Sequence, residues 1–303
     1  MKTTSKKLYL IIVIGILSVV CISCNKNPEF PQGDYLYEYN DLTPGNRIGD
    51  LFIVWPEDEE ISEERKAVIQ NLVSNMVRVE GGTFMMGAQN SNPTGQQYDA
   101  DAQADESPVH QVTLSEFYIG KYEITQQEWL AVMGYEKDWP SNYGHGEKIP
   151  AYNISKSDAE QFVKRLSELT RLPFMLPTEA QWEFAARGGN KSQHYRYSGG
   201  NNVDEVAWHN NNTGNVLHNV GEKKANELGL YDMSGSLWEW CLDTYYPYPT
   251  ESHTDPCHQW GAPFVLRGGS WTYFPVFCRA TCRDSYSDNR SISNGFRVVL
   301  KNK

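Results

Sequence analysis

Four cysteines, seven histidines and one pair of glutamates are the residues of this chain whose types and spacing bear most directly on chemistry. Cys241, Cys257, Cys278 and Cys282 lie close together near the C-terminus, and none belongs to a C-x-x-C. That spacing argues against a zinc ribbon or a thioredoxin-type redox pair. The histidines (110, 145, 194, 209, 218, 253 and 258) form no H-E-x-x-H, and neither a G-x-S-x-G elbow nor a P-loop is present. Glu179 and Glu183 are four apart, so on a helix they share a face, where two carboxylates would do acid–base work or hold a fold.

These groups need elements to position them. From Glu59 to Met76, Ile61, Val68, Ile69, Leu72, Val73 and Met76 recur at helical spacing behind an acidic start, which predicts an amphipathic helix over 59–76. From Val77 onward the texture changes to short strands, Gly turns and aromatic clusters. Residues 76–87 read as a strand, a Gly-Gly turn and a second strand, 88–108 as a polar loop, and 110–122 as strands. Helices are predicted over 125–133, over 157–169 with Ser155 or Ser157 as its cap, and over 179–187 behind Thr178. Residues 190–227 read as loops, and 264–300 as strands at both ends of an irregular centre.

Composition sets the class. Hydrophobic residues make up 40% and charged residues 21% of 303, which excludes a disordered chain or a coiled coil. Aromatics reach 13% beside 24 Gly and 15 Pro, the mixture of a loop-rich fold with many aromatic anchors. The formal charge is −11 with no basic stripe, so no nucleic acid is expected as a partner.

The N-terminus reads as an export signal. Lys2, Lys6 and Lys7 precede an apolar run from Leu8 to Ile22, short for a membrane span and suited to a secretory signal. Ser23-Cys24 resembles a bacterial lipobox, which makes Cys24 the expected lipidation site and residues 25–58 a tether. Cleavage by an ordinary signal peptidase and an uncleaved anchor are the alternatives. Loss of residues 1–23 takes the charge to −14. The expectation is a membrane-anchored lipoprotein of the bacterial cell envelope, where four cysteines would form two disulfides in one of three connectivities.

Six segments in order, VRVEGGTFMMG (77–87), YIGKYEITQQEW (118–129), LPTEAQWEFAARGG (176–189), GLYDMSGSLWEW (229–240), LRGGSW (266–271) and NGFRVVL (294–300), together resemble the formylglycine-generating-enzyme, or sulfatase-modifying-factor, family. The resemblance implies an α+β, C-type-lectin-like fold over 77–303 with little regular secondary structure and long loops. It implies that the helix carrying Glu179 and Glu183 is structural. The family's enzymes oxidise a sulfatase Cys to formylglycine with molecular oxygen and copper(I) on two thiolates, soft ligands for a soft metal. At the two thiolate positions this chain has Tyr273 and Cys278, and a phenol does not replace a thiolate.

Three readings follow from that resemblance. As an oxidase, the protein would use Cys278, Ser270 and Trp238, with copper as cofactor. As a binding protein, it would place Cys278 in a disulfide, with Cys241 as the favoured partner and Cys257 and Cys282 left for each other. As a structural subunit, it would serve an envelope secretion or motility complex. In all three, structural calcium is expected on Asp232, Gly235, Leu237 and Glu239, because carboxylate and carbonyl oxygens in a tight loop suit a hard cation.

The family also resembles retroelement-diversified variable proteins, whose ligand positions lie between GGSW and GFR. Diversification of Asn-type codons never yields Lys, Glu, Gln, Met or Trp, and residues 272–294 contain none of them. Those five types account for 67 of 303 residues, so a gap of this length arises by chance about once in 300. Tyr273, Phe274, Phe277 and Tyr286 are then the expected contacts for a protein or glycan ligand on the 270–294 surface, as rigid aromatics among small polar residues.

Overall fold

A computed structural model describes residues 47–301 apart from Asp50 and Ser141. The export signal, Cys24 and most of the expected tether lie outside the described residues. In chain order the elements are β1 (Arg47–Ile48), β2 (Leu51–Phe52), α1 (Glu63–Ser74), β3 (Met76–Val79), β4 (Gly82–Met86), β5 (His110–Leu114), β6 (Phe117–Gly120), α2 (Gln126–Met133) and α3 (Lys156–Thr170). They continue with β7 (Phe174–Met175), α4 (Glu179–Ala186), α5 (Val203–Val206), β8 (Trp238–Thr244), β9 (His253–Thr254), β10 (Phe264–Arg267), β11 (Arg283–Tyr286), β12 (Asn294–Gly295) and β13 (Val299–Lys301). No helix among the described residues is long and apolar enough to cross a membrane.

Three helices start where their caps demand. Thr125, Ser155 and Thr178 each accept the backbone N–H three residues on, and Glu128, Asp158 and Gln181 return a side-chain acceptor to the cap's own N–H. Each reciprocal pair satisfies two N–H groups that a helix start otherwise leaves open. Ser62 caps α1, which is four residues shorter at its start than the apolar spacing predicts. The end of the expected tether is packed: Ile53 is fully buried, and the Val54 N–H donates to the Thr170 carbonyl at 3.1 Å.

The strands form two four-stranded sheets, β11-β10-β8-β12 and β3-β6-β13-β7, a three-stranded one, β4-β5-β9, and the antiparallel pair β1-β2. β3 and β4 flank the Gly81-Gly82 turn yet join different sheets, β3 pairing with β6 and β4 with β5. The loops read over 190–227 contain one short helix, α5, capped by Asn202. Two apolar clusters fill the interior, one around Trp129, Phe162, Trp238, Trp240 and Phe296, the other around Phe117, Trp182, Phe184 and Val265.

Between these clusters run buried ion pairs. Arg267, wholly inaccessible, donates to Glu179 at 2.8 Å and to Glu183 at 2.7 Å. Arg283 forks onto Glu179 at 2.8 and 2.7 Å, and Arg279 onto Glu106 at 2.8 and 2.5 Å. Glu183 also accepts from the Gly87 N–H and from Arg187. The Glu179/Glu183 pair is thus spent on guanidinium groups and is not free for acid–base work. The two Arg partners hold Glu179 below the usual carboxylate range against the opposing effect of its burial.

Candidate functional site

The GGSW motif leaves β10 through two glycines with left-handed φ, Gly268 at +100° and Gly269 at +76°. A Cβ on Gly269 would stand 2.7 Å from the Phe277 carbonyl oxygen and 3.0 Å from the Cys278 Cα. Only glycine allows this approach, which lays the turn carrying Ser270 against the short helical turn Pro275–Cys278. The Tyr273 N–H donates to the Ser270 carbonyl at 2.9 Å and closes the loop.

Inside that loop the expected site residues gather around one ring. Tyr273 stands edge-on to Trp238, with centroids 5.5 Å apart at 89°, and edge-on to Phe277 at 5.6 Å and 86°. Such T-shaped pairs are worth about 0.5–1.5 kcal/mol each beyond area burial. Burial first, then the neighbouring Asp284 and Tyr286, pushes the Tyr273 phenol up, so it stays a neutral phenol. Phe274 is 62% and Tyr286 42% exposed, so these two rings face outward. Ser270 is fully buried, its Oγ 3.0 Å from Thr272 Oγ1, which in turn lies 2.6 Å from Ser293 Oγ.

All four thiols are free. The expected bridges Cys241–Cys278 and Cys257–Cys282 are not formed. Cys241 packs in the cluster of Trp182 and Val265, Cys278 in a small cluster with Tyr197, Val206 and Ala207, and Cys282 in the cluster of Trp238 and Trp240. Cys257 is half-buried on the loop before β10. The three buried sulfurs pack as small hydrophobes. Burial pushes the Cys278 thiol up, with Cys282 adding to it, and pushes Cys282 up to about 12. Copper(I) requires two thiolates, and the Tyr273 phenol at one of the two positions does not supply one.

The residues expected to hold calcium form one strained segment. Asp232 at φ +57° and Ser236 at φ +59° flank Gly235 at φ +76°, where a Cβ would meet the Trp208 carbonyl oxygen at 2.1 Å. Asp232 accepts the Gly221 N–H at 2.7 Å. Glu239 accepts Arg297 at 2.6 and 2.7 Å and Trp182 Nε1 at 3.0 Å.

Glu123, which the sequence places in a motif without giving it a role, is buried beside them. It accepts Ser236 Oγ at 2.8 Å and the Leu237 N–H at 2.9 Å. Burial first, then Asp232 and Glu239, pushes Glu123 well above the carboxylate range. Burial, aided by Glu239 and Glu222, lifts Asp232 to about 6. These three buried carboxylates lie near one guanidinium, Arg297, and their oxygens are the donor type a hard cation takes. No three His, Cys, Asp or Glu side chains converge on one point among the described residues, so backbone carbonyls would have to complete the shell.

Comparison with known proteins agrees with this architecture. Residues 62–302 match the sulfatase-modifying factor enzyme 1-like domain. The chaperone protein LppX of Paenibacillus barcinonensis is 36% identical over 211 residues, 53% of this chain and 71% of LppX. The formylglycine-generating enzyme of Streptomyces coelicolor is 28% identical, covering 82% of this chain and 96% of the enzyme. Among solved structures, Treponema denticola variable protein 1 superposes with a TM-score of 0.65 at 28% identity, over 75% of this chain and 95% of that one. With its α+β, C-type-lectin-like fold, the chain belongs to the sulfatase-modifying factor enzyme 1-like (FGE-sulfatase) family.

Proposed function

We propose that this protein is exported, anchored in the cell envelope through an acylated Cys24, and binds a protein or glycan ligand on its 270–294 surface. The observation that carries this reading is the Tyr273–Trp238 contact. A neutral aromatic ring fills the position of one copper thiolate, and the other thiol, Cys278, is enclosed and protonated. What the loop does present is Phe274 and Tyr286 at the surface, with Tyr273 and Phe277 locked behind them. Such a pre-organised aromatic set binds with little loss of side-chain freedom.

Two similarities support the reading. Treponema denticola variable protein 1 shares the fold over most of its length, and LppX is named as a chaperone. Calcium on Asp232, Glu239 and the Gly235 and Leu237 carbonyls would brace the surface from beneath, because the Trp271 N–H donates to the Ser236 carbonyl at 2.7 Å. Calcium would supply charge neutralisation there and no redox chemistry.

The oxidase reading rests on similarity to the Streptomyces coelicolor enzyme and requires an accessible thiolate pair. One experiment separates the two. The mature protein is incubated with a Cys-containing sulfatase peptide, copper(I) and oxygen, and in parallel is tested on glycan arrays and against envelope proteins. The binding reading expects no formylglycine by mass and a retained ligand that a Phe274→Ala, Tyr286→Ala variant loses. Formylglycine formation that depends on Cys278 would replace it with the oxidase.

A further inference from the structure

Residues 245–262 carry a second aromatic surface. Tyr246 is 59% and Trp260 78% exposed. The loop beneath them is built to present them. Tyr245 and Tyr248 turn inward over the Arg283 guanidinium, 4.5 and 4.0 Å from the ring centroids, and Glu179 holds that guanidinium from the other side. Tyr246, between them in sequence, is left facing out. Its ring lies flat on His258, with centroids 4.4 Å apart and an interplanar angle of 17°.

His258 is itself fixed. Its Nδ1 lies 2.8 Å from Thr244 Oγ1, and its backbone N–H donates to Asp243 at 2.9 Å. The same Thr244 hydroxyl lies 3.1 Å from the carbonyl oxygens of both His258 and Trp260, which joins the two exposed rings to one anchor. Pro247, Pro249, Pro256 and Pro263 further limit the loop. An exposed Trp and Tyr on so constrained a segment lose little freedom on binding.

Charge selects the partner. From Ala225 to Leu266 the sequence has six acidic residues, Glu227, Asp232, Glu239, Asp243, Glu251 and Asp255, and neither Lys nor Arg. Glu251 and Asp255 are exposed beside the rings' loop, and Asp255 also accepts from Ser115. The two cations that approach this region are both buried and paired, Arg283 beneath Tyr245 and Tyr248 with Glu179, and Lys156 over the Phe264 ring at 4.9 Å with Glu160. Exposed electron-rich rings in a negative field attract cations, and guanidinium and ammonium groups above all.

We propose that the Tyr246–Trp260 surface binds a cationic protein segment, with Arg or Lys side chains laid against the two rings. The test uses the full mature chain and a hexa-arginine peptide, read by calorimetry and tryptophan fluorescence at low and high ionic strength. Saturable binding is expected, weakened about tenfold or more by Trp260→Ala and by Tyr246→Ala and reduced by salt. Phe274→Ala should leave it unchanged. Both rings are exposed, and near-ultraviolet circular dichroism checks that the variants stay folded. Affinity in both ring variants equal to that of the unsubstituted chain would show attraction by net charge alone and overturn the proposal. So would loss on Phe274→Ala, which would move the peptide to the 270–294 surface. Binding of cellohexaose but not of the peptide, lost in the same ring variants, would make this a glycan surface instead.

Discussion

The Tyr273 ring meets the Trp238 ring edge-on at 5.5 Å. Phe277 closes the same ring from another side at 5.6 Å. Removing the ring empties a packed junction beneath the outward-facing Phe274. Tyr273→Ala is expected to cost about 2–3 kcal/mol of stability, whereas Tyr273→Phe should cost less than about 1 kcal/mol, both measured by urea unfolding. Equal losses for the two would show that the hydroxyl and not the ring holds the loop.

Thiol reactivity follows from burial. Native protein alkylated without reductant should label Cys257 slowly and leave Cys241, Cys278 and Cys282 untouched, since these three are fully buried. All four should react once the chain is unfolded, still without reductant. Blocked cysteines in the unfolded chain would contradict free thiols and restore the disulfides that the export signal leads one to expect.

The buried guanidinium groups carry much of the fold. Arg267→Met leaves Glu179 and Glu183 without their shared partner and should cost about 3–5 kcal/mol. Arg290, whose side chain is 58% exposed beside Asp158, should lose less than about 1 kcal/mol on the same change. Urea midpoints for the two variants check the contrast, and similar losses would contradict it.

The acidic interior sets a pH dependence. Asp232 is lifted to about 6 and Asp243 to about 7, both chiefly by burial, against an ordinary value near 4. Acids whose pKa is higher in the folded state bind more protons there, so stability falls as pH rises through these values. In chelator the melting temperature should therefore drop between pH 5 and 7. Calcium added at pH 7 should raise it, and by more than at pH 5. A melting temperature unmoved by calcium at both pH values would remove the proposed calcium site.

Local chemistry made the helices legible. Thr125 with Glu128, Ser155 with Asp158 and Thr178 with Gln181 announce three helix starts within a few residues of sequence. Strand partners were not legible in that way, because β3 pairs with β6 across some forty residues while its neighbour β4 turns to another sheet. Long-range ion pairs such as Arg279–Glu106 and Arg297–Glu239 were equally silent. The six motifs carried the fold family, and they placed Ser270, Trp238 and Tyr273 in one neighbourhood. They gave Glu123 no role, although it lies inside YEITQQEW, because its importance comes from burial beside Asp232 and Glu239. The packing of the cysteines was silent for a related reason: counting thiols says nothing of which apolar cluster each one enters.

The most direct test of the central claim is a copper(I) competition titration of the purified mature protein. A neutral Tyr273 beside a buried Cys278 predicts no stoichiometric copper(I) in the native state, with no change in Cys278→Ala. One tightly held equivalent that disappears in Cys278→Ala would contradict it and return the protein to the oxidases of its family.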